Sequence, residues 1–136
     1  MVKLLMGSNG SGKTKKLVDL VVDAVNSGDG DVVVIEKERK LTYDVPYQAR
    51  LIDAGAYDIG SYEFLKGFLC GIHSGNYDIT HVFIDDFFKI VNDRSEESLS
   101  AFVAWLDAFS GRESIDFLIS ISSENAPEKL KDHILE

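Results

Sequence analysis

Cysteine, proline and long apolar runs are almost missing from this chain of 136 residues. Its single cysteine, Cys70, rules out an intrachain disulfide and points to a reducing compartment. The two prolines, Pro46 and Pro127, leave no Pro-rich linker. No apolar stretch approaches the roughly 18 to 20 residues that a membrane-spanning helix needs. The opening MVKLLMG is too short for the core of a signal peptide and runs straight into glycines. Positive charge is scarce as well, with 14 Lys and Arg against 23 Asp and Glu, a net charge of −9. An acidic surface repels nucleic acid and anionic membrane, so a nucleic-acid partner is disfavoured. The imbalance lies wholly in residues 51–136, which leaves the N-terminal third as the place for an anionic ligand. With 45% hydrophobic and 27% charged residues, the composition is that of an ordinary globular protein. These features predict one domain over residues 1–136, cytoplasmic and without a membrane span.

What is present is an alternation of strand and helix patterns. Val2 to Met6 is a compact apolar run ending at a glycine turn, a short buried strand. Residues 13–26 carry Leu17, Val18, Val21, Val22 and Val25 at helical spacing, with Gly28 beyond the end. The β-branched run Asp31 to Glu36 predicts a second strand. Residues 37–60 show no sustained period, and a short helix near 47–53 is the reading there. From Ser61, a suitable N-cap, Phe64, Leu65, Phe68, Leu69 and Ile72 mark an amphipathic helix. Val82 to Ile84 form a third strand. Ser95 with Glu96 and Glu97 opens a helix buried through Leu99, Phe102, Val103, Leu106 and Phe109, with Gly111 as its stop. Ile115 to Ile121 is a fourth strand, and Asn125 and Pro127 start a terminal helix toward Ile134. The pattern predicts an α/β three-layer sandwich around a mainly parallel sheet of about four to five strands.

One segment carries chemistry. Gly7-Ser8-Asn9-Gly10-Ser11-Gly12-Lys13-Thr14 fits the pattern G-x-x-x-x-G-K-[ST] in full, between a predicted strand and a predicted helix. Glycines at 7, 10 and 12 let backbone N–H groups approach phosphate oxygens. The helix beginning at Lys13 adds the positive end of its dipole. Lys13 suits the β- and γ-phosphates of a nucleoside triphosphate, and the Thr14 hydroxyl suits Mg²⁺. A second acidic element must accompany such a loop, and His81-Val82-Phe83-Ile84-Asp85-Asp86 provides it. Asp85 is the expected Mg²⁺ partner, and Asp86 the candidate for orienting the attacking water.

On these motifs the chain resembles a minimal P-loop NTPase of the RecA-like and AAA-like branch. It is similar to small stand-alone bacterial ATP-binding proteins labelled after the twitching-motility ATPase, over roughly 1–36 and 78–123. It departs from the pilus-retraction motors in size and lacks their acidic and histidine boxes. The resemblance implies a P-loop fold with the sheet order second, third, fourth, first among the four strands named above. It also implies a polar γ-phosphate sensor at the end of the fourth strand, where Ser120, Ser122 and Ser123 stand. A slow Mg²⁺-dependent ATPase is expected, with Lys13 and Asp86 catalytic and residues 7–14 binding ATP. Activation is expected from an unidentified protein partner or a homo-oligomer. The alternative is a nucleotide-dependent switch with negligible hydrolysis, in which residues 37–60 reorder. A small-molecule kinase ranks last, because its lid usually carries several arginines and this chain has four, widely spaced.

Several other residues have bland readings beside sharper ones. Lys37, Arg39 and Lys40 follow the second strand and face either a phosphate or solvent. Arg94 and Arg112 are candidate arginine fingers for a neighbouring subunit, or surface groups. Tyr43, Tyr47, Tyr57 and Tyr62 either pack on the core or stack on a base. His73, His81 and His133 lack metal-ligand spacing. Cys70 reads as a partly buried thiol, and Trp105 as a packing residue.

Overall fold

A computed structural model describes residues 1–38 and 40–135. Five strands form one parallel sheet: β1 (Val2–Gly7), β2 (Asp31–Glu36), β3 (Arg50–Asp53), β4 (Ile79–Ile84) and β5 (Asp116–Ser122). They lie in the order β1-β5-β4-β2-β3. The four strands anticipated from sequence keep their expected order, and β3 extends the sheet beyond β2.

The helices are α1 (Lys13–Ser27), α2 (Tyr62–Gly75), α3 (Phe87–Ile90) and α4 (Glu96–Glu113). Each sheet face has its own apolar layer. Leu17, Val21 and Ala24 of α1 meet Val32, Val34, Phe83 and Leu118 on one side. Leu65 and Leu69 of α2, with Leu99, Phe102, Val103, Leu106 and Phe109 of α4, meet Val33, Ile35, Val82, Ile84, Phe117 and Ile119 on the other. Strand residues therefore alternate between two buried faces, which explains the unbroken β-branched run of β2. Each Val, Leu, Ile or Phe side chain buried this completely contributes about 2 kcal/mol of apolar transfer free energy.

The helix starts follow their caps. The Ser61 hydroxyl accepts from the Phe64 N–H at 3.1 Å, and the Ser95 hydroxyl from the Ser98 N–H at 3.2 Å. Helix α1 ends at Gly28, whose φ of 68° is the left-handed conformation that suits glycine.

Four expectations are corrected. Residues 50–53 form strand β3, where a short helix was expected over 47–53. Leu51 pairs with Val34 and packs toward α1, while Ile52 pairs with Ile35 and packs toward α2. Four residues are too few to show that alternation against a noisy background. Gly111 does not stop α4, which continues to Glu113 and ends at Ser114 with φ 56°. A glycine inside a helix costs only about 1 kcal/mol, and the packed stripe through Phe109 carries the helix past it. The terminal segment is a 3₁₀ turn, Glu128–His133, after which Ile134 bridges Leu4 in parallel and the Leu135 N–H bonds the Leu4 carbonyl at 2.8 Å. Cys70 is exposed rather than partly buried. No helix among the described residues is long and apolar enough to cross a membrane.

Candidate functional site

The carboxyl ends of β1, β2, β4 and β5 converge, because all the strands run parallel. Gly7 at the end of β1 is in register with Ser122 at the end of β5. The Asp85 N–H, one residue past β4, bonds the Ile35 carbonyl of β2 at 2.9 Å. The glycine loop and the acidic pair are thereby delivered to one edge of the sheet.

Within the loop, Gly10 and Gly12 have φ of 79° and 89°, where a side chain would be strained. Gly7 is crowded rather than strained. A Cβ there would lie 2.6 Å from the Ser11 hydroxyl oxygen. The Lys13 ammonium donates to the Ser8 carbonyl at 2.7 Å, so the lysine folds back over its own loop. The first N–H groups of α1 have no partner within the helix and point toward this loop.

Thr14, on the first turn of α1, places its hydroxyl 3.5 and 3.4 Å from the two carboxylate oxygens of Asp85. Asp85 is buried, only 8% exposed. Ser120 of β5, also buried, donates its hydroxyl to Asp85 Oδ1 at 2.7 Å and accepts from the Asp86 N–H at 2.7 Å. Asp86 has φ 54° and ψ 62°, a left-handed conformation costing about 1 kcal/mol that aspartate tolerates better than most residues. Its carboxylate has the Ser122 hydroxyl at 3.5 Å and the Lys89 ammonium at 3.3 Å. Among the serines considered at the end of β5, Ser123 turns away and donates to the Asn125 carbonyl at 3.3 Å.

Lys89 also reaches Glu38 at 3.2 Å, and Glu38 reaches Lys40 at 2.8 Å. Glu38 is held below the usual carboxylate range by its hydrogen bond to Lys40 and then by Lys89. Lys89 is held above its ordinary value, first by Glu38 and also by Asp86. Buried Glu36 anchors this turn, accepting from the Lys40 N–H at 2.6 Å and the Leu41 N–H at 2.9 Å.

The donor set fits the ion that the motif implies. A hydroxyl and a buried carboxylate converging from two elements are hard oxygen ligands, the kind Mg²⁺ prefers alongside substrate phosphates and water. Among the described residues, no cluster of three or more His, Cys, Asp or Glu offers a protein-only metal cage. The chain matches no protein-family model and no curated protein.

The remaining sequence candidates scatter. Arg94 lies over the Phe88 ring at 5.5 Å. Arg112 lies over Phe109 at 5.4 Å, four residues before β5 begins and so at the opposite edge of the sheet from the loop. Tyr43 and Tyr47 are fully exposed or nearly so, and Tyr57 is half exposed, contrary to the expected packing on the core. Tyr57 still tilts against the Phe68 ring at 5.3 Å, and Tyr62 packs inward, between Phe87 and Phe102. His81 stacks on Phe83 as a strand residue, and Trp105 stacks on Phe102 and Phe109. Lys40 is paired as described, whereas Arg39 lies outside the described residues. A cleft of about 640 Å³ lies on the far side of Glu36, between β3 and α2, lined by Glu36, Arg50, Ile52, Tyr57, Phe68 and Ile72. Sequence reasoning missed Glu36, Glu38 and Lys89 as parts of the site. The only available signal was the three-residue spacing of Asp86 and Lys89.

Proposed function

We propose that the chain is a P-loop-type ATP-binding protein and a slow Mg²⁺-dependent ATPase. The observation that carries this reading is the meeting of the Thr14 hydroxyl with both carboxylate oxygens of Asp85, at the foot of the glycine loop. Residues 7–14 would wrap the triphosphate with backbone N–H groups. Lys13 would leave the Ser8 carbonyl and bridge the β- and γ-phosphates. Mg²⁺, when bound, neutralises phosphate charge, with Thr14 and Asp85 as its protein partners.

Asp86 would orient a water for in-line attack on the γ-phosphorus. The new P–O bond forms as the bond to the β-phosphate oxygen breaks, ADP leaves, and the proton passes toward Asp86 and solvent. The chain's own Arg94 and Arg112 are engaged on aromatic rings, so a cation from a protein partner or a second copy would accelerate a slow basal rate. A cytoplasmic setting, where ATP and Mg²⁺ are supplied together, accords with this reading.

The test is calorimetric titration of Mg²⁺-ATP with phosphate release measured on the same sample, for wild type and Lys13→Ala. Binding at one site with slow release, both lost or strongly weakened in the variant, is the expected result. At a free concentration about 100 times Kd, ATP should stabilise the wild type by about 2.7 kcal/mol. Binding without release would make the chain a nucleotide-dependent switch, and no binding would refute the proposal.

A further inference from the structure

We infer that Lys89 is a positioning residue for Asp86, and that Glu38 helps set that position by holding Lys89. The inference rests on the ATPase reading and concerns the regulation of that same site. Glu36, Glu38, Asp85 and Asp86 crowd with Lys37, Lys40 and Lys89 around a cleft of only about 20 Å³. Four carboxylates so close repel one another, and a triphosphate would add further negative charge. Among the described residues, Lys89 is the cation that touches Asp86. Its ammonium lies 3.3 Å from Asp86 and 3.2 Å from Glu38.

The Asp86 backbone is already fixed by Ser120 and by its left-handed conformation, which leaves the carboxylate as the part to be held. The Ser122 hydroxyl lies at a long 3.5 Å from Oδ1, and Lys89 holds Oδ2 at 3.3 Å. It sits on α3, whose Phe87 and Ile90 are buried, so the base of the lysine is rigidly mounted. Glu38 pulls on the same ammonium from the turn after β2, and buried Glu36 ties that turn down through the Lys40 and Leu41 N–H groups. A displacement of Glu38, Lys40 and Leu41 therefore reaches the water-orienting carboxylate through one ammonium group. This makes the turn after β2 the control point of the site.

The test compares steady-state phosphate release and Mg²⁺-ATP affinity for wild type, Lys89→Met, Lys89→Arg, Glu38→Gln and the Lys89→Met/Glu38→Gln double variant. Lys89→Met should lower kcat about tenfold, as loss of alignment at a reacting group does, with KM changed less than about twofold. Lys89→Arg should recover most of kcat, and Glu38→Gln should show a smaller loss. The double variant should match Lys89→Met alone, the signature of one residue acting through the other. An unchanged kcat in Lys89→Met, or losses that multiply in the double variant, would overturn the inference while leaving the ATPase reading intact. A wild type that binds no ATP would refute the proposed function and this inference with it. Because Glu38 is on an exposed turn, the Glu38→Gln result reads the coupling even if Lys89→Met melts early.

Discussion

Ser120 shows how much one hydroxyl can organise. It donates a hydrogen bond to the Asp85 carboxylate and accepts one from the Asp86 N–H, fixing two consecutive acidic residues from the neighbouring strand. Ser120→Ala leaves a partly buried N–H unpaired and releases one carboxylate oxygen of buried Asp85. The expected cost is about 2 kcal/mol in stability, read by urea unfolding. On the ATPase reading, Ser120→Ala should also raise the Mg²⁺ concentration needed for ATP binding about tenfold, as loss of a residue that orients a metal ligand does. Wild-type Mg²⁺ dependence in that variant would show that Ser120 does not orient Asp85. Asp85 itself was legible as the polar residue ending an apolar strand. Which of three serines would serve it was not, because Ser120 and Ser122 share one face of β5 and only the way β5 sits beside β4 decides between them.

The turn after β2 is the element whose importance was least visible in the chain. Residues 37–60 have no period, and for good reason. Between β2 and β3 the described backbone is held by the buried Glu36 carboxylate and by Leu41, Val45 and Ala49 packing beside α1, not by a helical or strand repeat, and β3 is only four residues long. Glu36→Ala should cost about 2 to 3 kcal/mol, since two hydrogen bonds to a charged acceptor are lost at a buried site. Chemical denaturation would measure it, and a loss below about 0.5 kcal/mol would mean that the apolar contacts alone hold the turn. The amphipathic helices present the opposite case. The whole predicted stripe of α4 is buried, and both serine caps bond as expected, because local spacing and capping chemistry suffice to define them.

For the whole molecule, stability should fall at high pH in a defined window. Tyr62 lies between Phe87 and Phe102 and donates its hydroxyl to the Asp93 carbonyl at 2.9 Å. Burial, and then the nearby Asp93 charge, push its phenol up to about 12. The folded protein therefore holds this proton more tightly than the unfolded chain, whose tyrosines titrate near 10. The stability it contributes is complete below about pH 10 and is lost as pH rises toward about 12. Thermal melts across that range should show the decline, and Tyr62→Phe should flatten part of it. An identical slope in that variant would place the alkaline sensitivity elsewhere. The alternation of strand and helix, the glycine loop, its lysine and threonine and the acidic pair after β4 can all be read along the chain. Each rests on contacts or spacings within a few residues. The strand at the β2 edge, the choice of Ser120, and the link from Glu36 and Glu38 through Lys89 to Asp86 came from the folded structure alone. They join residues tens of positions apart, and their geometry exists only once parallel strands bring their carboxyl ends to the same edge.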